Sequence, residues 1–176
     1  MESQFYTETT AFGLQREQWS GALYEIFMFR GAARFSVDFV ENACCVDIGT
    51  ALFLSPYQTL RWMETERGPL RRIRFHGDYY CIEYRREEVA CNGALFNDVY
   101  EVPYVKLSGS AFDEIQSIRE RMENEPSRVD ASTQAVIRFY LQLILTLCSR
   151  EKLEQLEAYR VMTRVPDTFG AIRPHY

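Results

Sequence analysis

Apolar and polar residues alternate with a period of two through much of the first half of the chain, as they do in strands that separate two environments. Over Tyr24–Arg30, one face carries Tyr24, Ile26, Met28 and Arg30 and the other Glu25, Phe27 and Phe29. Gly31-Ala32-Ala33 closes this strand. Residues 34–41 alternate more cleanly, Phe35, Val37 and Phe39 against Arg34, Ser36 and Asp38, and read as its hairpin partner. Residues 43–48 form a further candidate strand after a turn at Glu41-Asn42. In residues 49–62, two apolar runs, 51–54 and 60–63, flank the turn-prone Ser55-Pro56-Tyr57-Gln58. Proline fixes φ and removes a donor that an inner strand needs, so this unit predicts a strand, a corner and a strand. Residues 70–76 then set Arg72, Arg74 and His76 against Ile73 and Phe75, and residues 79–83 and 88–96 are shorter candidates. Residues 1–21 are polar and mixed, with the character of an arm.

The period changes in the second half. Ser110 with Asp113 has the spacing of a capping box, and Phe112, Ile115, Ile118 and Met122 follow on one helical face. Glu125-Pro126-Ser127 stops that helix. A second begins near Asp130 and is apolar almost all round, with Arg138, Gln142 and Thr146 leaving only a thin polar stripe. Such a helix must be covered on two sides. Its apolar run falls short of the ~20 residues of a membrane span, so the cover expected is the β portion on one side and the first helix, a second subunit or both on the other. The pattern predicts an α+β chain: strands forming a sandwich or small barrel followed by two C-terminal α-helices, assembled as a homodimer that hides the apolar helix.

Twelve Phe and eleven Tyr in 176 residues favour the β assignment, since aromatic side chains suit half-buried strand surfaces. The net charge of −5 is a poor match for a polyanion, and duplex DNA binding by this chain alone is not expected. Cys44, Cys45, Cys81, Cys91 and Cys148 are odd in number and lack a C-x-x-C pair, and read as small buried hydrophobes. The N-terminal residues lack a basic start and an apolar run, so no secretory signal is visible and a cytoplasmic location is expected. With His76 and His175 as the only histidines, neither a metal site nor a cofactor is expected. No Ser-His pairing, G-x-S-x-G elbow or phosphate loop is present, which argues against an enzyme.

Four segments in order carry a resemblance: Phe29-Arg30-Gly31, the glycine to proline unit of residues 49–62, Ile73-Arg74-Phe75, and Cys91-Asn92-Gly93-Ala94-Leu95-Phe96. From about residue 20 to 105 they are similar to the cupin-like sensory domain of AraC-type transcription regulators. The family often has a glycine and a histidine after the proline, where this chain has Tyr57 and Leu60. The resemblance implies an antiparallel β-barrel or jelly roll, a cupin-like sensor with an N-terminal arm over residues 1–105, and a helical dimerisation segment over 106–165. It also implies that residues 166–176 begin a linker to a helix-turn-helix domain that this chain lacks. Protomers would pair through Ile137, Tyr140, Leu143, Ile144 and Leu147.

Carried over by position, the effector contacts of sugar-sensing members fall on Arg30, Trp62 and the face bearing Arg72 and Arg74, with Ile26 and Met28 as an apolar wall. Alternation alone leaves two readings open: the arginines face the barrel, or they are solvated while Ile73 and Phe75 fill it. Inward-facing guanidinium groups would need partners, carboxylates of the protein or the acceptors of a small anionic or polyhydroxylated effector. Two alternatives stand beside the regulator: a metal-free cupin enzyme such as a small-molecule isomerase, and a cyclic-nucleotide-type sensor, whose phosphate cassette is not recognisable here.

Overall fold

The structure, a computed structural model, describes residues 5–11, 18–44, 49–66, 68–77, 95–96, 102–125 and 130–163. Nine strands are described: β1 (Phe5–Ala11), β2 (Gln18–Trp19), β3 (Tyr24–Arg30), β4 (Ala33–Val37), β5 (Val40–Cys44), β6 (Gly49–Leu54), β7 (Leu60–Thr65), β8 (Pro69–Phe75) and β9 (Tyr104–Leu107). Helices α1 (Gly109–Asn124) and α2 (Ala131–Thr163) follow. The strands form two antiparallel sheets, one of order β1-β8-β3-β6-β9 and the other β2-β7-β4-β5. They face each other as an open cupin-like sandwich rather than a closed barrel, with the two helices after them.

Alternation along the central strands produces two cores. Phe27, Phe29, Leu52, Leu54 and Leu70 point between the sheets and meet Phe35, Val37, Leu60 and Trp62 from the other side. Ile26, Met28, Ala51, Phe53, Ile73 and Phe75 point the opposite way, onto Phe112, Ile115, Ile118 and Met122 of α1 and Leu141, Ile144, Leu145 and Cys148 of α2. Strand β6 is therefore buried along its whole length. Gly49 lies where a Cβ would run into the ring of Phe112.

Several expectations change at the connections. Residues 34–41 are not one strand paired with β3. The chain turns at Asp38 and Phe39, which have φ of 46° and 73°, and so divides into β4 and β5. Strand β4 pairs with β5 and β7, while β3 pairs with β6 and β8. Gly31, at φ 102°, carries the chain from one sheet to the other; a hairpin would have kept both strands in one sheet. The expected arm contains a strand, β1, which pairs with β8 from Phe5↔Phe75 to Ala11↔Pro69. Helix α1 is capped by Ser108, whose hydroxyl accepts from the Ala111 amide, rather than by Ser110. Asp130 does cap α2: its carboxylate accepts the Thr133 amide at 2.7 Å, which holds its pKa below the usual carboxylate range.

Helix α2 runs unbroken to Thr163, and by length and composition alone it is long and apolar enough to cross a membrane. Its Leu141, Ile144, Leu145 and Cys148 nevertheless pack into the core beneath the sheet. Cys44 and Cys148 are buried, and burial pushes the Cys148 thiol far above the ordinary thiol range. The remaining cysteines, the strand candidate at 79–83, residues 88–94 of the candidate at 88–96, and the linker expected at 166–176 lie outside the described residues, while Leu95 and Phe96 are helical rather than extended.

Replacing Gly49 by alanine in a regular strand would ordinarily be neutral or mildly stabilising, because it restricts the unfolded chain. Here the added methyl must displace the Phe112 ring, so Gly49→Ala is expected to cost about 1–3 kcal/mol. An unchanged urea midpoint would show that α1 does not press on this strand.

Candidate functional site

Strand β8 turns Leu70, Arg72 and Arg74 toward the space between the sheets and Ile73 and Phe75 toward the helices. Arg72 thus lies inside the sandwich, Arg74 shares its face at a partly exposed margin, and Ile73 and Phe75 fill the other core. Arg72 is 8% exposed. Its Nε and Nη2 donate to the carboxylate of Glu25 on β3 at 3.0 and 2.7 Å. Its guanidinium lies 4.2 Å above the Trp19 ring and 5.2 Å from that of Phe27. Glu25 is itself 4% exposed, so the pair sits in a dry, aromatic setting where neither charge could stand alone. Glu8 on β1 lies 3.7 Å from Arg72 and 3.8 Å from Arg74, and Arg74 stacks 5.2 Å from the Tyr6 ring. Two arginines and two glutamates thus meet at the β1-β8-β3 side of the sandwich.

Two donors are buried without a hydrogen-bond partner among the described residues, Nε of Arg74 within this cluster and Nε1 of Trp19 beside it. A buried donor left unsatisfied costs about 1–3 kcal/mol. An oxygen-rich ligand would remove that cost. Chemically, the arrangement can bind anions or hydroxyls through charge-assisted hydrogen bonds. The described residues contain no cluster of three or more His, Cys, Asp or Glu able to hold a metal ion.

The residues expected to line one pocket fall on both sides of the five-stranded sheet. Trp62, 4% exposed, stands at the centre of the interior aromatic cluster, with its ring 5.5 Å from Phe29 and 5.4 Å from Phe35. It shares that interior with Arg72 and Arg74. Ile26 and Met28 are fully buried in the opposite core, under the helices. Arg30 emerges on their face, where it donates to Asp113 at 2.6 Å and covers the Phe112 ring at 4.5 Å. The structure does not bring these three together with Trp62, because the period of a strand is two and their numbers are even whereas the inward residues of β3 are odd.

Residues of the expected dimer contact also divide. Ile144 and Leu147 are buried within the protomer, Ile137 and Tyr140 are partly buried against the same core, and Leu143 is 44% exposed. Phe139, one turn before Leu143, is 68% exposed.

Sequence reasoning missed Glu8, Tyr6, Trp19 and Glu25. The signal for Glu25 was a charged residue on the same strand face as Phe27 and Phe29. Glu8 and Tyr6 carried none, because their place is set by the pairing of β1 with β8.

No family model and no curated protein sequence matches the chain. Among solved structures it is similar to ToxT from Vibrio cholerae at 9% identity and TM-score 0.45, over 85% of this chain and 58% of that one. A second ToxT structure, of the wild-type protein from strain SCE256 with an unsaturated fatty acid bound, matches at 11% identity and TM-score 0.44, over 86% and 58%. The AraC-like transcriptional activator CuxR matches at 13% and 0.45, over 74% of this chain and 43% of that one. This chain therefore spans less than two thirds of the length of these regulators, and the likeness is one of fold.

Removing one partner of the buried pair strands the other. Glu25→Ala is expected to destabilise the protein by about 3–5 kcal/mol, whereas Arg74→Ala, which removes a partly exposed and looser pairing, should cost less than about 1 kcal/mol. Urea unfolding of the two variants checks this; equal losses would mean that the interior does not isolate the pair from water.

Proposed function

We propose that this chain is the effector-sensing and dimerisation module of an AraC-type transcription regulator, binding a small anionic or polyhydroxylated molecule between its sheets. The observation that carries the reading is the Glu25–Arg72 pair, buried on an aromatic floor beside the unsatisfied donors of Trp19 and Arg74. A core evolved only for stability would be expected to fill such a position with apolar side chains, which are often as stable or more so. The order of elements supports the same reading: the sandwich with its proline corner at residues 55–58 comes first and the helical pair last.

An effector carboxylate or hydroxyl would compete with Glu25 for Arg72. Released, Glu25 has Arg74 directly opposite it in the β3-β8 register. Two pairings of the same four charges then provide two states, and an effector that binds them unequally shifts the balance. A packed route leads from this interior to α2: Trp62 contacts Phe35, Phe35 contacts Tyr104 at 5.9 Å, and the carbonyl of Tyr104 accepts from Lys152 on α2. In this reading the domains are the sensor over residues 1–105 and the dimerisation segment over 106–165. The protein works in the cytoplasm, without a membrane or a catalytic role, and duplex DNA is bound by a separate helix-turn-helix unit. The protomers meet on the exposed stripe of α2 at Phe139 and Leu143, with Ile137 and Tyr140 at its margin, while Ile144 and Leu147 support the stripe from within.

A thermal-shift screen of organic acids and sugars should find a compound that stabilises the wild type and loses its effect in Arg74→Ala. Equal stabilisation of both proteins by every active compound would remove the basis for the interior site. Sedimentation at micromolar concentration should give twice the chain mass for the wild type and a monomer for Leu143→Glu; a wild-type monomer would contradict the proposed contact.

A further inference from the structure

The helix side of the five-stranded sheet holds a second charged site. Arg71 alternates with Arg72 and so faces α1 rather than the other sheet. It opens into a cleft of about 430 Å³ between β8, the end of β3 and α1. Three arginines approach one another here, and two of them are paired. Arg30 bonds to Asp113, and Arg119 bonds to Glu123, to the Thr9 hydroxyl at 3.2 Å and to the Gln116 carbonyl at 3.2 Å. The half-buried Arg71 guanidinium has no ion pair or hydrogen bond to another described residue. Burial and then the Arg119 charge hold its pKa below the usual arginine range, Arg30 adds to this, and Glu120 and Glu123 oppose it.

We propose that this cleft binds the carboxylate of a small organic acid, held by the Arg71 guanidinium, with the acid's apolar body against the exposed Pro69. The guanidinium fork matches a planar carboxylate with two parallel hydrogen bonds. Asp113 and Glu120 also line the cleft and oppose a dianion, so a single negative charge fits better than a phosphate. The Ser117 hydroxyl lies in the same wall and can donate to the bound oxygen. This site lies across the sheet from the Glu25–Arg72 pair and does not depend on the regulator reading.

Benzoate is a suitable probe, with inorganic phosphate and benzyl alcohol as the dianionic and neutral comparisons. Isothermal titration of the full chain should show saturable one-to-one binding of benzoate and none of the other two. Arg71→Ala should weaken it by roughly tenfold or more, and Arg71→Lys, which keeps the charge without the fork, by less. Glu120→Gln, which removes an opposing charge at an exposed position, should tighten it several-fold. If Arg71→Ala does not fold, the lysine and Glu120 variants carry the test. The proposal is overturned by no saturable binding at millimolar benzoate, by phosphate or benzyl alcohol binding as tightly, or by affinities unchanged in the Arg71 variants. Benzoate binding that is lost in Arg74→Ala but kept in Arg71→Ala would place it between the sheets, overturning this site while leaving the interior one standing.

Discussion

A sheet with no solvent face imposes the plan of this molecule, because its central strands carry large apolar side chains on both sides. Phe27 and Phe29 on β3 need one cover and Ile26 and Met28 another. The four-stranded sheet supplies the first, the pair of helices the second. Antiparallel sheets often leave one face to water; this one cannot, since exposing either row would lose about 1.5–3 kcal/mol for each large side chain. Close approach of the helical layer follows, and with it the bare Gly49 under Phe112.

Against that apolar plan, the charges are informative by where they interrupt it. Glu25 shares its strand face with Phe27 and Arg72 shares its own with Leu70, and the two charges satisfy one another there. Such a pair contributes little net stability compared with a hydrophobic replacement, yet breaking it is costly. A ligand able to exchange for one partner keeps the charge balance and changes the geometry. Arg71 shows the opposite condition on the other face: a half-buried cation whose neighbouring arginines are paired with Asp113 and Glu123. Two adjacent positions of one strand thus present arginine to separate compartments.

Strand–corner–strand at residues 49–62, the inner alternation of β3 and β8 and the apolar face of α1 were legible because each depends on local period and on proline or glycine chemistry. The β4–β5 turn was not, since Phe39 is an unusual residue for positive φ and the alternation of Phe35, Val37 and Phe39 reads through the turn. The arm hid β1 for a related reason: Thr, Glu and Tyr on an edge strand alternate weakly.

Residue spacing by itself determined that this chain is a run of strands followed by two helices, with Arg72 and Arg74 on one face of their strand and Ile73 and Phe75 on the other. Parity along a strand is a covalent property, so it needs no fold to be read. Which compartment each face meets is not covalent. Only the tertiary structure decided that Arg72 enters the sandwich with Glu25 while Ile26 and Met28 go under the helices and Arg30 emerges beside them, because that choice depends on which sheet or helix covers each side of β3 and β8. Pairings between residues far apart in sequence set it, and no local pattern encodes them.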